Sequence, residues 1–244
     1  MTSSTTSGLL VEPIKDSNDF PQAFRCANEA FARQAKDAIW KGLNPGWDTE
    51  KGAQEGANRF RKRWESITTN RDRKPNTIFL KATLPVTEED PSERQIVGLA
   101  IWQQASIVDG YGDPPADDPV ADLGDIDPTE KRFASQMFKS LTKRRTEVVK
   151  EKAKSTPPAI FVLDLCAVDP AFQRRGIAGK LVQWGLDQAQ RRSLEATTEA
   201  SSMGRGVYEK LGLWRESEKD IEYEVDEEFK GRVLPSNVFL RTGS

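Results

Sequence analysis

The chain has 244 residues, 36% of them hydrophobic, with 36 basic and 38 acidic side chains and a formal charge of -2. That length is enough for one sizeable core and short for two, and the near-balance of charge excludes a whole-surface attraction to nucleic acid or an anionic membrane. No apolar run reaches the ~18 residues that a spanning helix needs, and the absence of histidine removes the usual general base and the commonest zinc ligand.

The opening MTSSTTSG has neither a basic start nor an apolar stretch, which argues against a secretory signal. Residues 1–7 are expected to be a disordered tail and 8–244 a single domain. Cys26 and Cys166 make neither a disulfide framework nor a metal cluster, so the expected setting is a reduced, cytoplasmic one with no bound metal. Gly8 to Lys15 alternates enough for a first strand, and Asp16-Ser17-Asn18 supplies a helix cap. Phe20, Ala23, Phe24, Ala27 and Phe31 then recur at helical spacing. A second amphipathic helix carries Ala53, Ala57, Phe60, Trp64 and Ile67 on one stripe, with Gly42 to Gly46 as the break before it. Between the helices, Ile39, Trp40 and Trp47 lie beside a Pro-Gly turn, where core filling is the ordinary use of tryptophan.

Thr77 to Leu84 and Ile96 to Gln104 read as two strands joined by the acidic turn TEEDPSER. From Ser106 to Asp127 the chain is Pro-, Gly- and Asp-rich and predicts a loop. Pro128 starts a long helix whose apolar face is Ala134, Met137, Phe138, Leu141 and Val148. Lys143, Arg144, Arg145, Lys150, Lys152 and Lys154 crowd the remainder and read as a solvated face. Residues 106–155 therefore form a helical insertion. Ala159 to Val168, nearly continuous in apolar residues and interrupted by Asp164, suits a central strand. A helix follows with Ala178, Leu181, Val182, Gly185 and Ala189 on one face. Leu194 to Ser201 predicts a fifth strand, Gly204 to Leu211 a short helix, Glu222 to Val225 part of a sixth strand and Val238 to Arg241 a seventh. The expected fold class is α/β (α+β), a mixed and mostly antiparallel sheet of about seven strands with helices on its faces.

The most informative run is Leu163 to Lys180, LDLCAVDPAFQRRGIAGK. It ends an apolar strand in a loop that opens directly into a helix, whose unpaired first amides and positive dipole end favour a bound phosphate. Gly176 and Gly179 let the backbone come close, and Gln173, Arg174, Arg175 and Lys180 add donors at the same mouth. Neither G-x-x-x-x-G-K-[ST] nor G-x-G-x-x-G is present, which disfavours a nucleotide-binding protein built on those loops.

Gln173-Arg174-Arg175-Gly176-Ile177-Ala178 fits the Q/R-x-x-G-x-G/A signature of the Gcn5-related N-acetyltransferases. Glu199-Ala200-Ser201 followed by Val207-Tyr208-Glu209-Lys210-Leu211-Gly212-Leu213 resembles that family's fifth strand and "YEKLGF" helix. The close match runs from about Leu163 to Val225. An acidic residue at Glu199 and a long insertion also resemble the puromycin-acetyltransferase-like and fungal small-molecule members. The resemblance implies a sheet splayed between strands four and five, with the first two helices helping to wall an acceptor pocket. It implies acetyl-CoA as co-substrate, its pyrophosphate on the amides of Arg174, Arg175, Gly176, Ile177, Ala178, Gly179 and Lys180. The pantetheine arm would lie along Leu165, Cys166, Ala167 and Val168, where an amide polarises the thioester carbonyl.

The same resemblance makes Tyr208 the proton donor to the leaving sulfur; Glu199 and then Asp164 are the candidates for handling the amine proton, directly or through water. On a central strand each carboxylate needs a partner, a wet cleft or a raised pKa. Cys166 reads as a core thiol and not as a nucleophile. The expected function is transfer of an acetyl group to the primary amine of a small molecule by direct attack in a ternary complex, in a monomer or homodimer. Two alternatives stand beside it, a protein lysine or N-terminal acetyltransferase and a non-catalytic acyl-CoA-binding module. The insertion favours the small acceptor, because it is positioned to cover the groove that a peptide would need.

Overall fold

The computed structural model describes residues 8–87, 90–116, 120, 123 and 126–243. The expected tail, and Glu88 and Glu89 of the acidic turn, lie outside them. The strands are β1 Leu10–Pro13, β2 Thr77–Pro85, β3 Arg94–Ala105, β4 Ile160–Val168, β5 Glu195–Ser201, β6 Trp214–Arg215 and β7 Asn237–Arg241. They lie side by side in the order β1-β2-β3-β4-β5-β7-β6. β4 and β5 run parallel, and every other neighbouring pair is antiparallel.

The helices are α1 Phe20–Asn28, continued by a π-helical turn at Glu29–Gln34, then α2 Ala38–Leu43, α3 Glu50–Glu65, α4 Pro128–Lys152, α5 Ile177–Arg191 and α6 Arg205–Lys210. The near-continuous apolar strands are those covered on both faces, as burial on two sides requires. On one face Ile177, Leu181 and Val182 of α5 pack with Val97, Trp102 and Phe161. On the other, Phe20 and Phe24 of α1 pack with Phe79, Leu99 and Ile101. Among the described residues no helix is long and apolar enough to cross a membrane.

Two irregularities of β4 create the site. Its pairing with β5 runs only from Ile160 opposite Glu195 to Leu163 opposite Thr198, and beyond Leu163 the two strands part. On the β3 side Trp102 faces Leu163 while Ile101 faces Leu165, so Asp164 is the extra residue of a β-bulge. A bulge re-aims the side chain it carries, here at the point where the sheet opens.

Three sequence expectations are corrected. The stretch around Ile39 and Trp40 is the helix α2, capped by the Asp37 carboxylate, which accepts the Trp40 N–H at 2.8 Å. Glu222 to Val225 joins no strand; β6 is the shorter Trp214–Arg215. The Glu224 N–H instead donates to Ser140 Oγ at 2.9 Å and Tyr223 packs with Phe133 and Met137 of α4, so α4 side chains satisfy what a ladder would have. Finally, the charged face of α4 is only partly solvated. Lys152 pairs with Glu195 at 2.7 Å, Arg144 with Glu216 at 2.5 Å, and Arg145 is buried at 8% exposure.

Candidate active site

The parting of β4 and β5 opens a groove of about 750 Å³ that runs from the sheet to the start of α5. β4 from Cys166 to Val168 lines one side, and Ser201 to Gly204 with Tyr208 lines the other. At its mouth Arg174 and Gly176 take left-handed backbone conformations, φ 64° and 77°, which turn the loop into the helix. Gly176 caps α5 without a side-chain hydrogen bond, so the first-turn amides keep their free donors. A Cβ at Gly176 or Gly179 would meet nothing within 4 Å. This open, donor-rich cradle fits a diphosphate, and the unpaired edge of β4 fits an amide-bearing arm.

Of the residues expected at this groove, Cys166, Ala167, Val168, Gln173, Arg174, Gly176, Ile177, Ala178 and Gly179 line it. Leu165 lines a second cavity instead, and Arg175 and Lys180 are not among the lining residues. The Arg175 guanidinium lies 5.2 Å from the Phe172 ring centre. Gln173 turns its amide inward. It donates to the Val168 carbonyl at 3.0 Å and exchanges two hydrogen bonds with Gln34, at 2.8 and 3.0 Å.

The second cavity, about 490 Å³, lies deeper between the sheet, α2, α3 and α4. Its walls are largely apolar, with Phe31, Ile39, Trp40, Leu43, Phe60 and Phe138 among them, and Pro115, Ala116 and Leu123 of the insertion also face it. Phe31, Asp37, Cys166, Ser201 and Tyr208 line both cavities. That shared neck is where a group held in one reaches a group held in the other.

The carboxylates of Asp164 and Glu199 face the inner cavity and meet Arg145 there. Arg145 reaches in from α4 and donates to Asp164 at 2.8 Å and to Glu199 through Nε at 3.0 Å and through Nη2. Arg63 of α3 donates to the other Asp164 oxygen at 2.8 Å. Burial pulls the Asp164 pKa up, but the two guanidinium groups outweigh it and hold the carboxyl well below its usual range. Two cations thus face two anions, and every charge is paired. Sequence reasoning missed Arg145, assigned to a solvated face, and Arg63; an arginine among seven other charges carries no mark of burial.

Tyr208, 7% exposed, sits in the neck, where it and Cys166 line both cavities. Burial, reinforced by the nearby Cys166, pushes the phenol well above its ordinary value. Burial likewise pushes the Cys166 thiol up to about 12, so both groups hold their protons. Asp37, also missed, shares the neck. Burial raises its pKa against the lowering effect of the Trp40 and Ile39 amides and of the Lys41 charge. Its local signal is a cap residue before Ala38-Ile39-Trp40, which the adjacent Pro-Gly turn masks in the sequence.

The acetyltransferase (GNAT) family model matches residues 149–213, which span the end of α4 to the turn after α6. A sequence comparison with curated proteins finds no match. Among solved structures, a mosquito arylalkylamine N-acetyltransferase like 5b superposes with a TM-score of 0.59 at 12% identity, covering 96% of this chain and 97% of that one. An agmatine N-acetyltransferase gives 0.57 at 11% identity, with 96% and 97% covered. A protein from Corynebacterium glutamicum described as histone acetyltransferase HPA2 and related acetyltransferase gives 0.52 at 18%, with 96% and 95% covered. The family model and the opened sheet with its turn into α5 fall on the same segment, so residues 149–213 resemble the acetyltransferase (GNAT) family and the whole chain shares the fold of these acetyltransferase structures.

Proposed function

We propose that this protein transfers an acetyl group from acetyl-CoA to the primary amine of a small molecule, by direct attack within a ternary complex. The observation that carries the reading is the neck, where five residues line both the groove that fits a CoA and a separate apolar cavity. Acetyl-CoA supplies the activated acetyl group. The first-turn amides of α5 would hold its diphosphate, and the free edge of β4 would hold its arm. Walls contributed by the insertion favour a small acceptor over a peptide, because Pro115, Ala116 and Leu123 occupy part of the cavity's lining.

The residues of the neck divide the proton work. Tyr208, kept protonated by burial, holds a proton for the departing sulfur. Asp37, which lines both cavities at the neck and whose pKa burial raises, accepts the proton that the amine loses as its nitrogen bonds to carbon. Asp164 and Glu199, committed to Arg63 and Arg145, act as positioning residues that fix the cavity floor. Cys166 stays a neutral thiol, which disfavours an acetyl-cysteine route.

The test measures free thiol release from acetyl-CoA with the purified protein and a panel of amines, with mass spectrometry of the products. The expected result is thiol release that requires an amine and yields its acetamide. CoA binding without amine-dependent release would make this a binding module, and acetylation confined to peptides would overturn the small-molecule reading.

A further inference from the structure

We propose that the acceptor carries an anionic group, of the carboxylate type, at the end opposite its reacting amine, and that Arg59 receives it. This rests on the acetyltransferase reading above and names the class of its amine. Arg59 and Arg63 stand one helical turn apart on α3, on the same face, and both line the inner cavity. Arg63 is committed to Asp164. Arg59 meets only the neutral side chain of Asn44, donating to its Oδ1 at 2.9 Å, and among the described residues no carboxylate pairs with it. Burial lowers its pKa, with Glu55 a weak opposing influence. A half-buried guanidinium against apolar walls, with a neutral partner alone, has lost hydration that an anion would replace with charge-assisted, bidentate hydrogen bonds.

The position of Arg59 sets the length of the ligand. Asp37 caps the start of α2 and Asn44, held by its bond to the Trp40 carbonyl at 2.9 Å, caps the end. At 1.5 Å per residue the two caps lie about 10 Å apart. Ile39, Trp40 and Leu43 line the cavity between them. An amine at the Asp37 end and an anion at the Arg59 end are therefore separated by an apolar body, as in an ω-amino acid or an aryl equivalent. An α-amino acid is too short to reach both. A diamine or agmatine puts a second cation against Arg59 and is disfavoured.

The probes are terminal aminohexanoate and aminooctanoate, n-hexylamine and n-octylamine, and diaminohexane, each compared by kcat/KM with acetyl-CoA saturating. The wild-type order should be amino acid above alkylamine above diamine, with the shorter aminobutyrate losing the advantage. In Arg59→Gln the ratio of amino acid to alkylamine should fall by about 10- to 100-fold, the range of a hydrogen bond to a charged group. Arg59→Lys should keep part of that ratio. Alkylamines or diamines acetylated as well as the amino acids by the wild-type protein would overturn the proposal while leaving the acetyltransferase reading intact. So would an unchanged ratio in Arg59→Gln. Failure to acetylate any amine would instead defeat the acetyltransferase reading.

Discussion

At the scale of single residues, the neck separates two kinds of ionisable group. Tyr208 keeps its proton because burial disfavours the phenolate, whereas Asp164 keeps its charge because two guanidinium groups stabilise the carboxylate. Replacing Tyr208 by Phe removes the donor and little volume, so turnover should fall by about 10²- to 10⁴-fold with CoA affinity held, as steady-state rates and calorimetry would measure. Wild-type turnover would return Tyr208 to a packing role. Asp164 governs a different observable. Its folded-state pKa lies below the ordinary 3.8, so the stabilisation it contributes is complete above that pH and is lost as pH falls through the depressed value. Denaturation curves should show Asp164→Asn less stable than wild type at neutral pH, with the gap narrowing below about pH 4. A gap independent of pH would mean that the loss is steric. Arg145→Met, which leaves Glu199 without its cation and Asp164 with Arg63 alone, should lower the unfolding free energy by about 3–5 kcal/mol in the same denaturation curves at neutral pH.

At the scale of elements, the helix α5 does two jobs, and both depend on close approach. Its start offers amides to the groove, and its middle presses Gly185 onto Trp102, where an added Cβ would come within 1.8 Å of the indole. Gly185→Ala should therefore destabilise by about 1–3 kcal/mol through overpacking, although alanine has the better helix propensity. A rise in melting temperature would show that α5 shifts freely on the sheet. Much at this scale was readable from the chain. The apolar continuity of β4, the Gly176 turn and the stripe on α5 are local patterns, set by residues a few positions apart. The bulge at Asp164 was not readable, since it is defined only by how β3 pairs across from it. Nor was the fate of residues 222–225, whose alternation resembles a strand until Ser140 and Gln136 of α4 take the backbone donors of Glu224 and Asp226. The Arg145 cluster joins residues 19 and 54 positions away in sequence, beyond any periodicity.

At the scale of the whole molecule, the sheet is two blocks, β1 to β4 and β5-β7-β6, joined by four parallel residue pairs from Ile160–Glu195 to Leu163–Thr198. α4 braces the seam by pairing Arg145 with a carboxylate on each block, Asp164 and Glu199. The groove runs along the same seam, so a ligand in it contacts both blocks and binds the folded chain alone. Mass action then gives the size of the effect. CoA at about 100 times its dissociation constant adds about 2.7 kcal/mol to the unfolding free energy. For a chain of this size that corresponds to a rise of about 5–11 °C in melting temperature, at about 2–4 °C per kcal/mol. Gly176→Glu should erase the rise. The glutamate must adopt a left-handed conformation, φ 77°, and brings negative charge to the start of α5, where the proposed site would receive the diphosphate. Circular dichroism identifies a variant that still folds. In that folded variant, a CoA-induced shift equal to that of the wild type would move the diphosphate site away from the start of α5.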